Sequence, residues 1–222
     1  MMRALSHLRA LGAELARDGG FTLIEISIAI GLLGTVLAMA FGALISFQNA
    51  IGKSDTRSQS NDQARLAVLQ IDRQVRSGNV LYNPAAEGAN AGTNPDGTAI
   101  PTGFAMRIYT QSNAVERCVQ WRLLNTYDLQ KRAWSPSWGT DGQVSGWRTV
   151  AQNIVNLTSS PPFALDTNAN YGGANSRLVK VDLISNVRAS NGSNVEIQSS
   201  VEARNTEYFA SNSGLCSPIP TP

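Results

Sequence analysis

From Ile26 to Phe47 the chain reads ISIAIGLLGTVLAMAFGALISF, 22 residues without a charge. As an α-helix this run is roughly 33 Å long at ~1.5 Å per residue, enough to cross the hydrocarbon core of a bilayer. The competing reading is a core helix of a globular protein. A core helix carries one apolar stripe, however, whereas here apolar residues occupy every face, and a helix apolar all round fits lipid better. The run predicts a single membrane span.

The segment before it, MMRALSHLRALGAELARDGG, is polar and basic. A secretory signal has the reverse order, with its apolar region ahead of the cleavage site. Flanking charges do not orient the span, because Arg9 and Arg17 on one side face Lys53, Arg57 and Arg65 on the other. Glu25 lies at the edge of the apolar run, where an ionised carboxylate is costly unless it is paired or reaches the head groups. Both readings of Glu25 stand on the residues alone.

Composition narrows the function classes. The 222 residues carry 18 basic and 16 acidic side chains, a net charge of +2, scattered along the chain. No stripe or tail of the kind that attracts nucleic acid is present, which speaks against nucleic acid as a partner. Two cysteines, Cys118 and Cys216, exclude a disulfide-dense scaffold and a four-cysteine zinc site. The one histidine, His7, falls in this N-terminal polar segment, so without that segment the chain lacks the commonest general base and metal ligand. No catalytic residue, metal or cofactor is expected.

The stretch Gly19-Gly20-Phe21-Thr22-Leu23-Ile24-Glu25, with a basic leader before it and a long apolar helix after it, resembles the processing signal of the type IV pilin superfamily, which includes pseudopilins of type II secretion. The resemblance in motif covers roughly residues 15 to 50. It implies a membrane peptidase that cuts after Gly20 and methylates the new amine of Phe21. It also implies other pilin or pseudopilin subunits, an inner-membrane assembly platform and, before assembly, membrane lipid as partners. Orientation follows from it too: a single-pass protein of the cytoplasmic membrane with its head outside the cytoplasm, then part of a cell-surface or periplasmic filament. Glycine has a steric reason at the cleavage point, since a residue without Cβ lets the backbone approach the peptidase. One departure is visible. Many members carry a mid-membrane proline where this chain has Gly42, so a proline kink is not expected. Gly31 and Gly34 read as ordinary membrane-helix glycines rather than a packing motif.

After Ala50 the pattern becomes one-sided. Ala64, Val68, Ile71 and Val75 are spaced for one helix face, with Asp62/Arg65 and Asp72/Arg76 as surface pairs, and the weaker stretch Gly52 to Asn61 is expected to fray. Ser77-Gly78-Asn79 ends the helix. A helix from Phe21 to Arg76 would be roughly 84 Å long at ~1.5 Å per residue, which suits a filament stalk rather than a compact core. Residues 83–103, dense in Gly, Asn, Pro and Ala, predict a long surface loop. Strands follow where apolar residues alternate: Phe104/Met106/Ile108, Val119/Trp121/Leu123, Val179/Val181/Leu183, and Val195/Ile197 with Val201/Ala203. Asn191-Gly192 supplies a turn between the last two. The expected class is α+β, a type IV pilin-like fold. Its parts are a leader (1–20), a membrane helix (21–50), a continuing amphipathic helix (51–78) and a β-rich head (79–222) whose antiparallel sheet buries one face on the helix.

Other candidates are weaker. Asp166, Asn168 and Asn170 open like a calcium loop, but Tyr171 and Arg177 stand where the turn glycine and bidentate glutamate belong, so a polar loop is preferred. Cys118 and Cys216 are expected to form a disulfide closing a long loop, worth ~4–5 kcal/mol in chain-entropy models; two unpaired thiols are the alternative. Asn156-Leu-Thr and Asn191-Gly-Ser match the glycosylation acceptor pattern, by chance in a bacterial pilin. Trp121, Trp134, Trp138 and Trp147 suit sheet packing better than stacking on bases, because Glu116, Asp128 and Asp141 interrupt the nearby Arg117, Arg122, Lys131, Arg132 and Arg148. The reading is a structural minor pilin or pseudopilin similar to the PilW/GspJ group; a competence-type pilin or adhesin with a DNA- or surface-binding head is the alternative, and an enzyme is not expected.

Overall fold

A computed structural model describes residues 20–112, 114–165, 178–186, 194–202, 207–208 and 214–221. The leader up to Gly19 with His7, the loop holding Asp166, Asn168, Asn170, Tyr171 and Arg177, the Asn191-Gly192 turn, and Ala203 with Arg204 lie outside the described residues. The chain divides into two compact units, Met1–Gly52 and Lys53–Pro222. The first holds the start of helix α1 (Leu23–Arg76); the second holds the end of α1 and all the β-strands.

Within the second unit α1 buries one stripe, formed by Ser60, Ala64, Ala67, Val68, Ile71 and Val75. These positions repeat at three- and four-residue steps, so they share a face. The stretch from Gly52 to Asn61, expected to fray, is helical. Ala64, Ala67 and Ile71 are completely buried. A rim of polar bonds fixes the helix: Asn153 Nδ2 donates to Ser60 Oγ (2.9 Å), Gln152 N to Gln63 Oε1 (3.2 Å), Lys131 Nζ to Gln70 Oε1 (3.2 Å) and Trp121 Nε1 to Gln74 Oε1 (2.7 Å). The helix ends at Arg76, and Gly78 starts strand β1 (Gly78–Leu81) where a Cβ would stand only 2.9 Å from Ile108 Cγ2. Any side chain there would push the strand off the helix end.

Strands β2 (Ala105–Ser112), β3 (Val115–Leu123), β4 (Leu129–Trp134) and β5 (Arg148–Ala151) extend an antiparallel sheet from β1, and β9 (Glu207–Tyr208) pairs parallel to β1. The order is β5-β4-β3-β2-β1-β9. A second sheet, in order β6-β7-β8, comprises β6 (Phe163–Leu165), β7 (Leu178–Ser185) and β8 (Val195–Glu202). Met106, Ile108, Val119, Trp121, Leu129, Val179, Val181 and Leu183 join the α1 stripe in one core. The architecture is α+β, with a long N-terminal helix and an antiparallel head, as in type IV pilin-like proteins.

Two expectations need correction. Residues 83–103 are a surface loop only in part: Pro84–Glu87 form helix α2 and Gly88–Asn90 a 3-10 turn, and Glu87, Ala91, Asn94 and Ile100 are buried, while residues 95–99 are exposed. The main sheet, in turn, buries both faces rather than one. Opposite the α1 face lie Arg107, Tyr109, Cys118, Gln120, Arg122, Arg132 and Trp134, all buried. Polar alternation looks like a solvent face, but here Gln120 and the three guanidiniums find internal partners, the main condition for burying them, while Arg107 Nε and Trp134 Nε1 are buried without one among the described residues.

Three guanidiniums do most of that pairing. Arg107 Nη2 donates to Glu87 Oε1 (2.9 Å) and stacks on Tyr82 (3.7 Å). Arg122 Nη1 donates to Ala91 O (2.8 Å), its Nε and Nη2 to Gln130 Oε1. Arg132 Nε donates to Gln120 Oε1 (2.9 Å), and Trp147 receives Arg122 and Arg132 at 3.8 and 4.5 Å from its ring centre. Burial, with Arg122 adding to it, brings Arg132 down to about 10. Glu87 shows a similar contest. Burial pushes its carboxyl above the ordinary glutamate range although Arg107 pulls the other way, and burial wins because Oε2 is buried without a hydrogen-bond donor among the described residues.

A group whose folded pKa is raised holds its proton more tightly folded than unfolded, so its contribution favours folding at low pH and is lost as pH rises through the folded value. Glu87→Gln removes this titration while keeping an acceptor for Arg107. Thermal unfolding of the full chain in detergent across pH should show the parent losing stability relative to Glu87→Gln as pH rises above the ordinary glutamate range. Parallel pH profiles would contradict the assignment.

Candidate processing and assembly site

The first unit is built by local rules. Thr22 precedes the helix, and its Oγ1 accepts from Glu25 N (3.3 Å) while its carbonyl accepts from Glu25 N (3.1 Å) and Ile26 N (3.2 Å). Thr22 is therefore the N-cap, and Glu25 sits three residues on, in the first turn. The positive end of the helix dipole favours a carboxylate there. This role of Thr22 escaped the sequence reading, although the Thr-x-x-Glu spacing signals it.

Gly20, Phe21 and Glu25 fall together at this end of the chain. Gly20 is exposed, and a Cβ built on it meets nothing within 4 Å, so space in the folded chain does not demand glycine. Phe21 is 78% exposed. Glu25 is exposed, and its carboxylate has no partner among the described residues. No group of three or more His, Cys, Asp or Glu that could hold a metal occurs among the described residues.

From Phe21 to Ile51 every residue is exposed, including Ile28, Leu33, Met39, Phe41 and Phe47. Such a surface is stable only in lipid or against other apolar helices. Two hydroxyls inside the run are satisfied within it: Ser27 Oγ donates to Leu23 O (2.9 Å) and Thr35 Oγ1 to Leu32 O (2.8 Å). Backbone-bonded hydroxyls are the form tolerated where water is absent.

Cys118 and Cys216 lie in the second unit, bonded to each other with Cα atoms 5.7 Å apart. Both are fully buried in a small cluster with Val80, Tyr82, Tyr109 and Trp134. The tail is also held by its carbonyls: Arg107 Nη1 donates to Cys216 O (3.2 Å), Trp138 Nε1 to Pro218 O (2.6 Å) and Arg132 Nη1 to Pro220 O (2.9 Å). Trp121 and Trp134 are buried and Trp138 and Trp147 half-buried, all four engaged in the packing just described.

Residues 15–41 match the family described as the prokaryotic N-terminal methylation motif. No curated protein and no solved structure matches the chain. That methylation motif is the signature of the type IV pilins and pseudopilins, and this chain carries it at residues 15–41, at the start of a helix exposed on every face as far as Ile51.

Proposed function

We propose that the chain is a structural minor pilin or pseudopilin, cut after Gly20 by prepilin peptidase, methylated on Phe21 and assembled through α1 into a filament of a type IV pilus or type II secretion system. The observation that carries this reading is the exposure of every residue from Phe21 to Ile51 directly behind a methylation motif. An apolar surface on all faces of one helix fits lipid before assembly and a bundle of like helices after it. The head serves structure rather than capture, a view supported by four tryptophans occupied in packing.

Cleavage at Gly20 places a cation at Phe21, four residues before the Glu25 anion. Neither is stable unpaired in an apolar medium, so the Phe21 amine of one subunit donates to Glu25 of its neighbour. That pairing selects register, and desolvation offsets much of its attraction. Thr22 adds a control, because glutamine at position 25 preserves the capping geometry while removing the charge.

Mass spectrometry of the mature protein should find an N-methylated peptide beginning at Phe21; filaments built from the uncut chain, or a different first residue, would overturn the reading. Glu25→Gln and Glu25→Ala should both be processed at Gly20 yet enter filaments poorly. Assembly of Glu25→Ala at the parent level would place the carboxylate among head groups instead. Non-reducing peptide mapping of exported protein should recover Cys118 linked to Cys216, whereas two alkylatable thiols in the folded head would refute the link.

A further inference from the structure

Strand alternation and register place three cations on one face of the main sheet. Arg117 shares a face with Trp121, four residues along β3, and Trp121 pairs with Lys131, which pairs with Arg148. Lys131 and Arg148 are thus directly opposite across two strands, an arrangement that destabilises a sheet because like charges repel. Lys131 feels it: burial lowers its pKa first, and Arg148 lowers it further. Among the described residues neither Arg117 nor Arg148 has a carboxylate partner.

These arginines line a groove of about 380 Å³ beside the C-terminal end of β4. Ser135, Gln143 and Ser145 also line it, the Ser135 hydroxyl being bonded to Asp141. Ser145 Oγ accepts from Ala133 N (2.8 Å), which leaves its hydroxyl proton available to a further acceptor. Glu116 also lines the groove, but alternation puts its side chain toward the opposite face, where it bonds the Tyr109 hydroxyl. Asp141 accepts from two groove residues, Ser135 and Gln143 N (2.8 Å), so both nearby acids are already engaged, whereas Arg117 and Arg148 lack a carboxylate partner among the described residues.

We propose that this groove is a binding site for a single oxyanion group, a phosphate or carboxylate, held between Arg117 and Arg148 with Ser145 and Gln143 donating at its side. Planar guanidiniums match such groups with paired bonds. A nucleic-acid surface does not fit as well, since it needs a line of cations and a stacking platform, and the nearby Trp121 and Trp134 are buried. Bound anion would also offset the Lys131–Arg148 repulsion, so binding and stability are linked.

The test uses full-length protein in neutral detergent, titrated with inorganic phosphate against chloride at matched ionic strength. Phosphate should raise the Tm saturably, and so should acetate more weakly. Arg148→Gln should abolish the phosphate shift while raising the Tm in chloride, because it relieves the repulsion. Arg117→Gln should weaken apparent phosphate affinity about tenfold with the Tm in chloride unchanged. A phosphate response no greater than chloride, or one that persists in both variants, would overturn the site. Binding of a short DNA duplex with steep salt dependence, lost in both variants, would replace it with a polyanion surface.

Discussion

The contact between α1 and both sheets, made by Ser60, Ala64, Ala67, Val68, Ile71 and Val75, is the one on which the order of the head depends. Hydrophobic burial is non-directional, so by itself it would leave the helix free to rotate or slide against the strands. The rim bonds from Asn153, Gln152, Lys131 and Trp121 remove that freedom. With the helix fixed, each strand has a face to cover, and the alternation of Met106/Ile108 and Val119/Trp121 decides which face it is.

The opposite face of the main sheet follows a different logic. It buries three arginines against a single ion pair, and an unpaired buried charge would be far costlier than the burial of apolar area could offset. What makes the arrangement stable is that carbonyls of Ala91, Cys216 and Pro220 take the guanidinium donors. Segments with little regular structure, around Ala91 and in the tail, are thereby tied to the sheet. The disulfide between Cys118 and Cys216 acts at the same seam, so covalent and hydrogen-bonded restraints coincide.

At the other end of α1 no core forms. Thr22 caps the helix and Ser27 and Thr35 close their hydroxyls on its backbone, so what the segment leaves unsatisfied is chiefly its apolar surface, together with the Glu25 carboxylate. A segment in that condition has a strong drive toward lipid or other helices and little toward the rest of its own chain. One helix thus carries two hydrophobic patterns, apolar on all sides before Gly52 and one-sided after Ser60, and each pattern meets a different environment.

Both patterns were legible in the amino-acid sequence, because they are periodicities among residues a few positions apart. The strands at 105–112, 115–123, 178–185 and 195–202 were legible for the same reason, and the Gly20-Phe21-Glu25 spacing is a local motif. The cap at Thr22 was equally local, visible as Thr-x-x-Glu to a reading that looked for it. Tertiary structure alone decided that Glu87, Ala91 and Ile100 pack inward, that β9 runs parallel to β1, and that Arg107, Arg122 and Arg132 are buried. It also set Arg148 beside Lys131. Those outcomes depend on partners tens of residues away, such as Pro220 for Arg132, and a polar residue in a strand has the same local pattern whether water or a distant carbonyl satisfies it.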